Sequence, residues 1–339
     1  MRFLYALVPL ALASPLISGL MQSGHNEPKS GDLLLVANKA DQTLGLIDPR
    51  AASQIATIPE GGITGHEVIA SPDGRFAYVP IYGNSGVGQP GTDGRSLVVI
   101  DLAARKVVGN VDFGKGVRPH CPMFGPKDGL LYVTTELDHS VTVIDPHSLK
   151  IIGSVPTGQA ESHMLAISPD GRRGYTANVG PGTVSILDLE NRKLITTIPI
   201  APKTQRISLS IDGRLAFTAD QTQPQLVTID TSTNKVKARI SLPAVGYGTA
   251  PTPDGRWLVV ALPSGNQVAV VDLKTMKVKQ TINVPAAPQE VLVRPDGQMA
   301  YVSCDASHKV AAIRTSDWMV DHLIDAGPGA DGLAWANRQ

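Results

Sequence analysis

A short turn signal recurs at a nearly fixed distance, and it limits what this chain can fold into more than any other feature. It reads SPDG at Ser71, PKDG at Pro126, SPDG at Ser168, SIDG at Ser210, TPDG at Thr252 and RPDG at Arg294. Counted on Pro72, Pro126, Pro169, Ile211, Pro253 and Pro295, the intervals are 54, 43, 42, 42 and 42 residues. A period in this range means that one supersecondary unit is reused, each copy burying the face of its neighbour.

The unit itself reads as strands. From Leu165 the chain runs LAIS, a PDG turn, GYTAN, TVSILDL and then LITTIPI, short runs rich in β-branched residues and bounded by Gly, Pro, Asp and Asn. No sustained 3.6-residue period interrupts them. Four antiparallel strands per unit make one propeller blade. The ends complete the count. LLVAN, LGLID and QIATIP (residues 34–59) match the second to fourth strands of a unit but lack the first, whereas GPGADGLAWA near the C-terminus is a first strand with nothing after it. The two pieces are expected to share a blade and close an all-β, seven-bladed β-propeller without free edges.

Residues 1–30 precede the repeats. A basic Met1-Arg2 start, an apolar run from Phe3 to Leu20 broken by Pro9, Ser14 and Pro15, and a polar linker describe a secretory signal peptide better than a membrane span, the alternative being an uncleaved N-terminal anchor. The expected organisation is a signal and linker over 1–30 and a single propeller domain over 31–339, exported to the periplasm or secreted, with no integral membrane span in the mature chain. Thirty Lys and Arg balance thirty Asp and Glu, so there is no basic footprint for nucleic acid or an anionic membrane. A monomer is expected. The two cysteines, Cys121 and Cys304, fall in distant units and are expected to be free thiols.

The units resemble the repeat of the YVTN-type seven-bladed propellers, a group that overlaps the lactonase-like and nitrous-oxide-reductase-like propellers. The pattern is P-D-G-x-x-x-Y-V/T followed by S/T-V-x-I/V-L/I-D, with YVTT at Tyr132, YTAN at Tyr175 and YVSC at Tyr301 closest to it. The resemblance covers about residues 31–339 and implies the fold; it leaves function open among enzymes, metal-bearing domains and proteins without known chemistry.

Function has to be sought where the units stop being equivalent. The PDG turns are uniform and occupy one face, the bottom, while the connections into the first strand and between the second and third strands vary and occupy the other, the top. Six residues before each turn position stands the residue that opens the first strand beside the central channel: His66, His120, His163, Gln205, Tyr247, Gln289 and, by the same step, Asp331. Eight histidines in 339 residues make three in this column, in consecutive units, far more than chance supplies.

Three neutral imidazoles with an open fourth position are a ligand set for a divalent transition metal such as zinc, copper, manganese or iron. The ordinary alternative is three polar residues lining a wet channel. Glu136 is a candidate fourth ligand, Arg206 a candidate clamp for a carboxylate, and Tyr247 a candidate acid or oxyanion donor. Glu67, Arg118, Asp138, Asn178, Asp220, Glu290 and Asp305 are further polar groups expected on the top face, and Cys121 an outside candidate as a ligand. A Gly-rich insertion from Tyr82 to Ser96 in the unit that carries His66 reads either as a lid or substrate wall over the opening or as a plain loop insertion without a role. Asp48, Asp101, Asp145, Asp188, Asp230 and Asp272 end the third strands and are structural turn acids.

Two functional readings follow. In one, the three-histidine site serves a metal-assisted, lactonase-like hydrolase or a lyase acting on a small molecule that carries a carbonyl or carboxylate. In the other, the propeller is a non-catalytic scaffold that binds a ligand or a partner protein on its top face. No serine nucleophile elbow and no dinucleotide fingerprint is present.

Overall fold

The computed structural model describes residues 28–337. The expected export signal lies outside them. Seven four-stranded antiparallel sheets form the ring. Blade 1 joins Ala330–Ala336 to Leu33–Asn38, Thr43–Asp48 and Ser53–Pro59, so the two ends of the chain pair as expected, with Leu34 opposite Trp335 and Val36 opposite Leu333. Blades 2 to 7 span 69–112, 119–156, 162–199, 208–241, 249–283 and 288–325.

Strand composition follows position in the blade. The second strands are sandwiched between blades on both faces and are apolar almost throughout, as in Leu33–Asn38 and Trp257–Leu262. The outermost strands alternate, with every second residue exposed along Ser53–Pro59 and Lys277–Asn283. Each outer pair carries a register shift, for example between Ile186 and Leu187, which adds the twist a blade needs. The core lies between blades. One cluster runs from Cys121 and Tyr132 of blade 3 through Tyr175 and Ile186 of blade 4 to Val227 of blade 5.

The repeated turn has a physical reason. In SPDG at Ser168, the Ser168 hydroxyl donates to Asp170 at 2.6 Å and accepts from the Arg173 N–H at 2.9 Å, while Asp170 accepts from the Arg172 N–H at 3.1 Å. Gly171 sits at φ +71°, a conformation that glycine adopts without strain. The turn acids behave likewise: Asp101, Asp145 and Asp272 accept backbone N–H groups two residues on. No helix among the described residues is long and apolar enough to cross a membrane.

Candidate functional site

The three histidines come together at one side of the channel mouth. The His120 and His163 rings stack face to face with centroids 3.5 Å apart, and His66 meets His120 edge-on at 5.5 Å. Tyr82, next to last in the second strand of blade 2, lies among them: it stacks on His66 at 4.9 Å and presents its edge to His120 at 5.3 Å and His163 at 5.8 Å. His120 and His163 are each 2% exposed, while His66 is only partly buried and faces the mouth.

A charged frame holds this cluster. Glu136 opens a 3₁₀ turn, Glu136–Asp138, and is 1% exposed. Its Oε2 accepts from the Tyr82 hydroxyl at 2.6 Å and lies 3.4 Å from His163 Nδ1; its Oε1 lies 3.6 Å from Arg118 Nη1. Burial works against ionisation of Glu136, but the His163 and Tyr82 hydrogen bonds and the Arg118 charge outweigh it and hold the carboxyl below the usual range. Burial lowers all three imidazoles, His66 to about 4, so each is neutral at pH 7. It raises the Tyr82 phenol, helped by the adjoining Glu136.

Arg118 ties the frame to the glycine-rich loop. Its Nε donates to Asp93 at 2.6 Å, and its Nη2 donates to the Gln89 carbonyl at 2.7 Å. The inserted stretch is shorter as a loop than its sequence suggests. Tyr82, Gly83 and residues 93–96 extend the paired strands, with Gly83 opposite Asp93, and the connection itself is 84–92. Its tip lies against blade 4, where a Cβ on Gly88 would stand 2.5 Å from Glu161 Oε1. The loop therefore reaches from blade 2 past Arg118 to Glu161 at the start of blade 4.

The other side of the channel is organised by Arg206, 3% exposed. Its Nη1 reaches Glu67 of blade 2 at 2.5 Å and Glu290 of blade 7 at 2.6 Å, its Nη2 reaches Asp331 of blade 1 at 3.1 Å, and its guanidinium lies 4.8 Å from the Tyr247 ring centroid. Lys39 adds ion pairs to Asp331 at 3.1 Å and Asp305 at 2.9 Å. Burial opposes the charge on Arg206, but Glu67 and Glu290 hold its pKa well above normal; burial, reinforced by the neighbouring carboxyls, raises Glu67 and Glu290. Tyr247, Gln205 and Gln289 are partly exposed.

Of the polar groups expected on the top face, Asn178 and Asp220 are taken up within their own blades. Asn178 bonds Ser162, Thr183 and Ser185, and Asp220 bonds Thr222. Both cysteines are free and buried, and burial pushes Cys304 up to about 12 and Cys121 further. Among the described residues no group of three or more His, Cys, Asp or Glu is disposed to hold a metal ion. The stacking accounts for this: two imidazoles lie plane on plane, and one of them turns Nδ1 to Glu136.

Two features escaped sequence reasoning. Tyr82 was visible only as the edge of an insertion. The second is a ring one residue below the histidine column, five residues before each turn position: Glu67, Cys121, Met164, Arg206, Gly248, Glu290 and Gly332. Reading that column for charge would have found the Arg206 hub. Its glycines permit close approach: a Cβ on Gly332 would stand 2.6 Å from the Glu67 Cα and the His66 carbonyl oxygen.

A family model described as the cytochrome D1 heme domain matches residues 124–252, less than half of the chain. Dihydro-heme d1 dehydrogenase of Pseudomonas aeruginosa is 35% identical over 80 residues, which are 24% of this chain and 16% of that protein. The matched stretch is thus under a fifth of that relative's length. Among solved structures, hydrazine synthase of Kuenenia stuttgartiensis superimposes with a TM-score of 0.73 at 18% identity, over 87% of this chain and 99% of that one. A functionally unknown protein from Desulfotomaculum acetoxidans gives 0.74 at 14% identity, over 91% and 99%. Dihydro-heme d1 dehydrogenase NirN in complex with DHE gives 0.66 at 15% identity, over 92% and 76%. These likenesses carry the propeller fold; the YVTN and lactonase-like particulars of the sequence resemblance do not appear in them.

Proposed function

We propose that this chain is an exported, monomeric periplasmic propeller whose channel mouth binds a small molecule of the iron-tetrapyrrole class. The observation that carries the reading is the packed group of His66, Tyr82, His120 and His163, kept neutral by burial, in which His120 Nδ1 has no hydrogen-bond partner. A buried imidazole nitrogen without a partner is a group that gains by ligation. The cytochrome D1 heme domain match over residues 124–252, which includes Glu136 and His163 but not His66, Tyr82 or His120, supports it.

The residues suit the group in kind. His66 at the mouth and His120 behind it would ligate iron. Glu136 positions His163 through Nδ1, and such carboxylate–imidazole contacts fix the ring tautomer and orientation. Arg118, against the loop at 84–92, is engaged by Asp93, the Gln89 carbonyl and Glu136, and a tetrapyrrole's carboxylates would compete for it. A bound iron tetrapyrrole would supply redox or ligand-exchange chemistry tuned by the protein groups that hold it. The hydrolase or lyase reading has less support, since it needs a metal held by three or more protein ligands and no such group is found among the described residues.

The test is titration of the purified protein with ferric haem and, in parallel, haem d1, followed by absorbance and by retention through gel filtration. Saturation at one equivalent, with binding weakened at least tenfold in His66→Ala or His120→Ala, is expected. Binding by neither macrocycle, or equal binding by both variants and the wild type, overturns the reading.

A further inference from the structure

Below the Arg206 hub lies a second space, lined by none of His66, Tyr82, His120 or His163. It is a cavity of about 490 Å³ to which the inner strands of all seven blades contribute, a size typical of small-molecule sites. Its walls are apolar, including Ile69, Met123, Leu165, Leu209, Leu292 and Trp335. Two lining hydroxyls, Ser208 and Thr249, are bonded to each other at 2.7 Å. Its charged groups are Glu67 and Glu290, side by side on Arg206 Nη1.

Carboxyl groups outnumber cations around that end of the cavity. Glu67, Glu290, Asp331 and Asp305 face two cations, Arg206 and Lys39, within ion-pair distance. Arg206 gives Nη1 to one oxygen each of Glu67 and Glu290 and Nη2 to Asp331, so the second oxygens of Glu67 and Glu290 are not held by it. Glu290 retains the most exposure of the three carboxylates on Arg206, at 18% of its side chain. A buried acidic end on an apolar cavity is complementary to a cation with an apolar body and hostile to an anion.

From this geometry we infer that the lower channel binds a small apolar amine, with its ammonium on Glu290 and Glu67 and an aromatic or branched alkyl body against the Leu, Ile and Trp335 wall. The site is independent of the tetrapyrrole reading, because the Arg206 hub separates the two spaces.

Trp335 in the wall provides the readout. Wild-type protein without added haem is titrated with benzylamine, benzyl alcohol and benzoate while tryptophan emission is followed, with calorimetry in parallel. Benzylamine is expected to give a saturable change that Trp335→Phe abolishes, to bind at least tenfold tighter than benzyl alcohol, and to exclude benzoate. Glu290→Gln is expected to weaken benzylamine at least tenfold and leave benzyl alcohol unchanged. Equal binding of amine and alcohol by the wild type, preference for benzoate, or unchanged benzylamine binding in a folded Glu290→Gln overturns the proposal. The wild-type comparison stands even where the variant fails to fold.

Discussion

Replacing Arg206 with Met removes the cation that three blades share. In the wild type its guanidinium holds Glu67, Glu290 and Asp331 at 2.5, 2.6 and 3.1 Å. Met fills much of the same volume, so the loss is electrostatic. It leaves Glu67 and Glu290 without a counter-charge and Asp331 with Lys39 alone. Breaking a buried ion pair from one side costs about 3–5 kcal/mol, and that is the expected deficit at pH 8. The deficit must depend on pH. Burial already raises the Glu67 and Glu290 carboxyls, and without Arg206 they rise further. A carboxyl raised in the folded state contributes stability at low pH and loses it as pH climbs, at about 1.4 kcal/mol per unit for each proton that only the folded state retains. The variant is therefore expected to recover at least that much between pH 8 and pH 5. Urea unfolding followed by circular dichroism at the two pH values measures it. A loss under about 1 kcal/mol, or one of the same size at both pH values, refutes the account of the hub.

Three further outcomes follow from single contacts. Glu60 is fully buried, with one bond from the Gly65 N–H at 2.8 Å, and burial raises it to about 7 from 4.5. The wild type should lose about 3 kcal/mol between pH 4.5 and 7 from this group, and Glu60→Gln should flatten that slope in a pH series of unfolding curves. Tyr82→Phe keeps the ring stack but removes the 2.6 Å bond to Glu136, and a cost of about 1–3 kcal/mol is expected in the same assay. Gly332→Ala places a methyl 2.6 Å from the Glu67 Cα and the His66 carbonyl oxygen; about 1–3 kcal/mol of strain and a weakened mouth are expected, read by thermal unfolding and haem titration.

The architecture was legible because it is repeated. The PDG turns, the period and the unmatched strands at the two ends led to seven blades and to the Leu33–Asn38 with Ala330–Ala336 closure. The histidine column was legible for the same reason: a departure from a repeat stands out against copies. What failed to register depends on orientation. Column and spacing bring His120 and His163 near each other, but whether two rings converge through nitrogens or stack through faces is decided by side-chain torsions and by Glu136, 27 residues away from His163. Arg206 could be seen as a lone cation; that it spans the channel to three carboxylates required both columns to face the axis. Tyr82 joined the cluster because the strand before the insertion runs longer than in other blades, which no period predicts.

The central claim is that the neutral histidines at the mouth ligate iron. It is tested most directly by the absorption spectrum of ferric haem bound to the wild type, His66→Ala, His120→Ala and His163→Ala at one pH. The account predicts a histidine-ligated spectrum in the wild type that is lost in His66→Ala or His120→Ala and kept, at altered affinity, in His163→Ala. A spectrum that is the same in all four proteins, or that of free haem in the wild type, contradicts it.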